Sequence, residues 1–353
     1  MDDSNEQFGK GSQDVEAHLD DAVKSIVAPL GVDVGTSKVL VAARRGKEVE
    51  THSQLNAFLT VPASAMTEAT LQQNGVAFHR HGNEIAIHGS GAERFAHVFN
   101  AEMRRPMADG VLNPREITAA QVLERILSTI VPRARSERDV LAFSVPAATA
   151  GRGSELTYHE GTLRKFFQSL GYRAVAVNEG LAVVFSELQD TSFTGIGISC
   201  GGGMCNGALS YLSIPSLMFS IPKGGDAIDS AAGQVVGEPA TRVKIIKEES
   251  LDLTRAPTDK LEKALHIYYE DLVESLVEAL HTAVTRAEKR PRTDRPLPIV
   301  LAGGTASPKG FQELFAASLK KHPLPFDVAG IRVAPDPVTA TARGALIAAR
   351  YEK

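Results

Sequence analysis

Cysteine is scarce: Cys200 and Cys205 are the only two in 353 residues, with four positions between them. That spacing excludes a disulfide framework and fits no paired-ligand zinc pattern, so both are expected to be reduced thiols packed in or near a strand. No apolar run approaches the roughly 18 residues of a membrane span. The N-terminus reads Met-Asp-Asp-Ser, acidic where a secretory signal would be basic, and a cytoplasmic location is the expectation. Blocks of one charge are missing too. Lys and Arg number 38 against 42 Asp and Glu, a net charge of −4, without the concentrated positive surface of a dedicated nucleic-acid binder. The ten histidines show no ligand spacing; His79 and His81 are close but lack an evident third partner.

What is present is apolar material for more than one core. The chain is 43% hydrophobic and longer than the roughly 100–200 residues of a typical domain, so two domains are expected. Residues 1–13 are polar and read as a disordered tail. From Asp14 a helical stripe begins, with Val15, Leu19, Val23 and Ile26 on one side and Glu16, His18, Asp20 and Asp21 opposite, ending before Pro29. A helix packed on its own domain and a docking segment for a partner or a second copy, over residues 14–28, both fit. Its acidic face argues against an anionic membrane surface.

The most informative stretch is residues 31–40, Gly-Val-Asp-Val-Gly-Thr-Ser-Lys-Val-Leu. An apolar strand runs into an Asp, a tight turn and another strand. Gly35 removes the Cβ that would hold a phosphate off the backbone, so the amides of Thr36, Ser37 and Lys38 can face its oxygens. Both hydroxyls add donors and Lys38 a charge. An ordinary hairpin with an incidental Asp fits the same residues, but it leaves Asp33 unpaired within an apolar strand, which is costly. Beside a triphosphate, such a carboxylate suits hydrated Mg²⁺.

Residues 196–209, Ile-Gly-Ile-Ser-Cys-Gly-Gly-Gly-Met-Cys-Asn-Gly-Ala-Leu, repeat the programme. Three consecutive glycines in a strand-like run cost roughly 0.5–1 kcal/mol each relative to Ala, so a close backbone approach is expected there. Two such hairpins facing each other would grip a triphosphate from both sides. Around them, helical and strand patterns alternate: helical over 117–131, 156–170 and 180–188, strand over 140–145 and 174–177. This is the signature of a mixed sheet with helices on its faces. Residues 62–108 and 236–294 read as inserted subdomains. The expected domains are 30–190 and 191–353, preceded by a segment of 29 residues.

Five segments stand in the order and spacing of the actin, sugar-kinase and heat-shock ATPase superfamily, and the chain most resembles its bacterial actins of the MreB and MamK kind. Residues 31–40 resemble the first phosphate loop, 177–188 the first connecting helix and 196–209 the second phosphate loop. Residues 299–311 resemble the adenosine loop and 340–349 the second connecting helix. Pro106 to Val111 and residues 236–247 are similar to the bacterial actin branch in particular. The resemblance implies an α/β actin-like fold of two domains, each a five-stranded mixed sheet with helices, with ATP or ADP and Mg²⁺ in the cleft between them. It further implies slow hydrolysis and head-to-tail filaments of the chain with itself.

Carried onto this sequence, Asp33 would hold Mg²⁺ through water, and Gly35, Thr36, Ser37 and Lys38 one side of the phosphates. Gly201, Gly202, Gly203 and Met204 would hold the other. Glu179 would orient the attacking water, and Thr241, Lys244, Gly303, Gly304 and Thr305 would surround the adenosine. Two positions depart from the pattern. Ser199 stands where the second phosphate loop has an Asp, which would weaken metal binding and turnover. Gly180 follows Glu179 where MreB-like chains often have proline, and would loosen that loop.

Two functions of different classes follow. The first is a filament-forming actin homologue with slow or impaired ATP hydrolysis; the second is a non-polymerising actin-fold adaptor or pseudo-ATPase, favoured by Ser199 and the acidic N-terminal helix. A reactivating chaperone-type ATPase is a weaker reading, since no substrate-binding domain is expected after residue 353. For membrane contact, Phe95, Val98 and Phe99 form a candidate apolar patch, with core packing as the alternative.

Overall fold

The computed structural model describes residues 21–148, 153–287 and 295–352. Residues 1–20, which carry most of the expected N-terminal helix, lie outside them. That helix enters the described part as α1 (Asp21–Lys24), and Val23 and Ile26 are buried in the first core.

The first half opens with a meander of β1 (Leu30–Val34), β2 (Lys38–Arg45) and β3 (Glu48–Leu55). A small unit follows: β4 (Phe58–Pro62), α2 (Ala65–Gln73), β5 (Phe78–His81), β6 (Glu84–His88) and α3 (Ser90–Phe99). The chain returns through a tight hairpin, β7 (Met107–Ala108) and β8 (Val111–Leu112), then α4 (Ala119–Ser128), β9 (Val140–Val145), α5 (Gly153–Ser169), β10 (Arg173–Asn178) and α6 (Glu179–Glu187). The second half repeats the meander with β11 (Gly195–Cys200), β12 (Cys205–Tyr211) and β13 (Ile214–Ile221). It continues through α7 (Gly225–Val236), α8 (Ala240–Ser250), α9 (Lys260–Arg286), β14 (Leu297–Ala302), α10 (Phe311–Lys321), β15 (Val328–Val333) and α11 (Ala340–Tyr351).

The two large sheets have one topology. The first runs β3-β2-β1-β9-β10 and the second β13-β12-β11-β14-β15; in each an antiparallel meander is extended by two parallel strands. The central strands are largely apolar, as a sheet covered on both faces requires: every residue of β9 and β11 is buried, Ser144 and Ser199 included, while edge strand β3 alternates towards solvent. The sequence repeat at residues 31–40 and 196–209 is thus the visible part of a duplicated architecture.

The small unit around β4, β6 and β5 has its own core of Leu59, Val61, Leu71, Ile85, Ile87 and Phe95. Of the candidate membrane patch, Phe95 is buried and stacks on Phe99 at 5.7 Å, leaving Val98 exposed. His79 pairs with His88 rather than His81, ring on ring at 4.7 Å. In the stretch 236–294, α9 is capped by Asp259, whose carboxylate accepts from the Glu262 amide at 2.8 Å. One stripe, including Leu265, Tyr269, Leu272, Leu276 and Leu280, is buried in the core of the second sheet, so α9 forms one body with that sheet. Among the described residues no helix is long and apolar enough to cross a membrane.

Helices α6 and α11 cross between the sheets at backbone distance. A Cβ on Gly344 would lie 1.7 Å from the carbonyl oxygen of Ala182. Gly180 sits against the backbone of β12, where a Cβ would come within 2.5 Å of the Ala208 nitrogen. The departure at Gly180 therefore reflects close packing of a buried residue, and a bulkier side chain has no room there.

Candidate functional site

The meander hairpins of the two sheets point at each other. Each ends in the same backbone bond: the Gly35 amide donates to the Lys38 carbonyl at 3.1 Å and the Gly201 amide to the Met204 carbonyl at 2.9 Å. Between them and the helices of the second half lies a cavity of about 370 Å³. Asp33, Gly35, Thr36, Ser37 and Lys38 line it on one side and Gly201, Gly202, Gly203 and Met204 on the other. Glu179, Ser199 and Thr341 close one end, and Lys244, Lys247, Glu248, Gly303, Gly304 and Thr305 extend the other. Of the residues expected to act together, only Thr241 is absent from this lining; it is exposed at the start of α8, whose later residues face the cavity.

Asp33 is not free within its strand. The Ser144 hydroxyl on β9 donates to Asp33 Oδ1 at 2.8 Å and accepts the Val34 amide at 3.0 Å, locking the carboxylate to the strand. Burial raises its pKa to about 6 against the pull of that bond. Glu179 begins α6, capped by Asn178, whose Oδ1 accepts from the Leu181 amide at 3.2 Å. Its pKa is raised to about 8 by burial and then by the Asp33 charge, offset in part by the neighbouring Ser199 and Asn206 side chains. Two acids at one end of a cavity, both held towards the neutral form by burial and Glu179 further by the Asp33 charge, form a place where a cation is welcome. Ser199 is buried, with its hydroxyl 3.4 Å from that of Thr341.

The glycine loop lies against the opposite hairpin. A Cβ on Gly203 would fall 2.5 Å from Thr36 Oγ1 and 2.7 Å from the Gly110 amide; one on Gly202 would fall 2.6 Å from Ser37 Oγ. The close approach expected of these glycines is therefore made by protein. Met204 packs on Gly110, in the β7–β8 turn, where a Cβ would lie 2.2 Å from its sulfur. Asn56 fixes the first loop from below, its Nδ2 donating to the Gly35 carbonyl at 2.8 Å.

At the other end, Gly303 is held by protein too: its φ is +90° and a Cβ would meet the Cys200 backbone. Gly304 has nothing within 4 Å of its Cβ position and opens to the cavity, while Thr305 donates to the Gly201 carbonyl at 2.8 Å. Lys247 and Asp229 form a buried ion pair at 2.7 Å. Lys244 is half-buried, and burial followed by the Arg105 charge lowers its pKa. Sequence reading missed Ser144, Asn56, Arg105, Asp226 and the Lys247–Asp229 pair. Only the last two carried a local signal, the Lys-Gly-Gly-Asp turn at 223–226 and lysines three apart on α8.

The volactin family model matches residues 29–349, nearly the whole chain. The chain belongs to the volactin family. Among curated proteins no sequence match is found. Among solved structures, this volactin-family chain is similar to a MamK double helical filament, with TM-score 0.70, 19% identity and coverage of 92% of this chain and 99% of that one. It is also similar to a non-polymerising MamK mutant bound to AMPPNP, with TM-score 0.57, 20% identity and coverage of 91% and 98%. The ethanolamine utilization protein EutJ from Carboxydothermus hydrogenoformans gives TM-score 0.52, 18% identity and coverage of 95% and 97%. At such identities the likeness is one of fold, and that fold is actin-like.

Proposed function

We propose that this actin homologue binds ATP with Mg²⁺ in the cavity and assembles head to tail into filaments, with slow hydrolysis. In this reading the domains are 30–190 and 191–353 and the cavity is the cleft between them. The observation that carries it is the pair of like-built hairpins converging on one cavity that ends in two acids. The MamK protein solved with AMPPNP supports nucleotide binding, and the MamK filament supports self-assembly.

The donor set fits the metal complex. Asp33, held by Ser144, would take the water shell of Mg²⁺, and Ser199 adds only a neutral oxygen. When bound, the ion neutralises phosphate charge. Glu179 would orient the attacking water. A carboxyl that keeps its proton near neutral pH accepts a hydrogen bond poorly, which accords with slow turnover until a cation draws that proton off. The backbone of the glycine loop and the hydroxyls of Thr36 and Ser37 hold the phosphates, and Lys244, Gly303, Gly304 and Thr305 face the nucleoside. Thr241 is left out of this assignment. Closing two domains on a nucleotide fixes their angle, and one angle gives a heterologous contact that repeats without end.

High-speed sedimentation with and without ATP and Mg²⁺, phosphate release followed in the same sample and electron microscopy of the pellet test this. Filaments that pellet with ATP support it. A protein that binds ATP yet stays soluble at every concentration overturns the filament and leaves an adaptor with an actin-like fold, the reading that Ser199 favours.

A further inference from the structure

Arg105 lies just before β7 and belongs to neither hairpin, yet it ties the first hairpin to the start of α7, where the Asp226 amide in turn donates to the Gly202 carbonyl of the second hairpin at 2.8 Å. Its Nη1 donates to Ser37 Oγ at 3.2 Å and to Asp226 Oδ2, at the start of α7, at 2.7 Å. Both partners line the cavity. The ion pair is 30% exposed on each side and so is only partly screened. Gly202 stands at the same point: its Cβ position lies 2.6 Å from Ser37 Oγ and 3.1 Å from Asp226 Oδ2. Guanidinium, hydroxyl, carboxylate and glycine backbone therefore meet where the two loops touch.

This contact has a consequence for what can bind. The loops leave no room for even a methyl group between Gly203 and Thr36. A phosphoryl group reaching between them must part them, and parting them stretches Arg105 from Asp226. It would also bring negative charge against the Asp226 carboxylate. Arg105 answers both difficulties. Nε and Nη2 make no hydrogen bond among the described residues, so two donors of the planar fork are ready for a phosphate. Asp226 has a second cation within its field, the half-buried Lys244.

Resting on the nucleotide reading above, we propose that Arg105 is the residue by which this cleft tells a nucleoside triphosphate from a diphosphate. Parked on Asp226 with the loops together, it transfers to the terminal phosphoryl group of a bound triphosphate, and Asp226 passes to Lys244. A diphosphate that stops short of the loop contact leaves Arg105 where it is.

The test compares binding of AMPPNP and ADP, each with Mg²⁺, to the full chain and to Arg105→Gln, Arg105→Lys and Asp226→Asn, with thermal melts of the free proteins as the check of folding. The wild type is expected to prefer AMPPNP. Arg105→Gln should lose about 10- to 100-fold for AMPPNP and less than about threefold for ADP, the worth of a charged, forked contact. Arg105→Lys keeps the charge without the fork and should fall between. Asp226→Asn unties the arginine and should strengthen AMPPNP alone. If Arg105→Gln does not fold, the other two variants carry the test. Equal losses for both nucleotides, or none, overturn the proposal. So does a wild type that binds both equally, which leaves the nucleotide reading intact; a wild type that binds neither removes that reading as well.

Discussion

The two hairpins are the same object built twice with opposite chemistry. Aligned on their shared backbone bond, Asp33 matches Ser199, Thr36 and Ser37 match Gly202 and Gly203, and Lys38 matches Met204. The first hairpin supplies a carboxylate, two hydroxyls and a charge. The second supplies backbone, and little else. The difference follows from their neighbours: the glycine loop must lie flat against Thr36, Ser37 and Gly110, whereas the Cβ of Gly35 would meet only the Lys38 carbonyl. The two halves share one geometry; the first carries the functional groups, and the second is thin enough to close on them.

The comparison breaks most sharply at Glu179, which stands between the hairpins. Glu179→Gln should reduce phosphate release at saturating ATP by about 100- to 10,000-fold, with ATP binding retained; an unchanged rate would remove it from the chemistry.

The acids also write a pH signature. Asp33 and Glu179 hold protons up to about 6 and about 8, above their ordinary 3.8 and 4.5. Their folded pKa values are raised, so the stability they contribute is full at low pH and is lost as pH climbs from about 4 to about 8. Thermal melts of the nucleotide-free protein should fall across that window by an amount of the order of a few kcal/mol. Glu179→Gln should flatten the upper part. A profile as steep in that variant as in the wild type would assign the titration elsewhere.

Making the hairpins alike is the next test. Ser199→Asp adds a third acid to a buried corner, and should cost the free protein about 2–3 kcal/mol. Mg²⁺ with ATP should restore most of that stability and speed phosphate release, measured as melting temperature and turnover. Persistent destabilisation with the metal complex present would argue that the second hairpin cannot take an acid. The smallest effect is expected at Ser144→Ala, about 1 kcal/mol of stability and a several-fold loss of Mg²⁺ affinity, read by titrating the metal.

These residues differ in how visible they were in the sequence. Asp33, Gly35 and the three glycines were legible because a hairpin is local and its repeat betrays it. Ser144 and Asn56 were not, because only strand pairing and a chain reversal bring them to the loop. Thr241 was placed at the nucleoside, beside Lys244, by the resemblance alone. Three residues along a helix is a rise of about 4.5 Å, enough to move it beyond the cavity wall. One-sided charge and low glycine content suggested an inserted subdomain over 236–294; within it the buried stripe of Leu265 to Leu280 joins α9 to the sheet core. The three glycines were read as the mark of a close backbone approach, and at Gly202 and Gly203 that approach is to Ser37, Thr36 and Gly110.

The crossing of α6 and α11 has a consequence for packing. Where Gly344 rests on the Ala182 carbonyl and Gly180 on β12, the surfaces that meet are smooth main chain. Around these contacts only small side chains of α11, Ala345, Ala348 and Ala349, meet Ala182, Leu181 and Phe185 of α6, so the two helices approach more closely than larger side chains would allow.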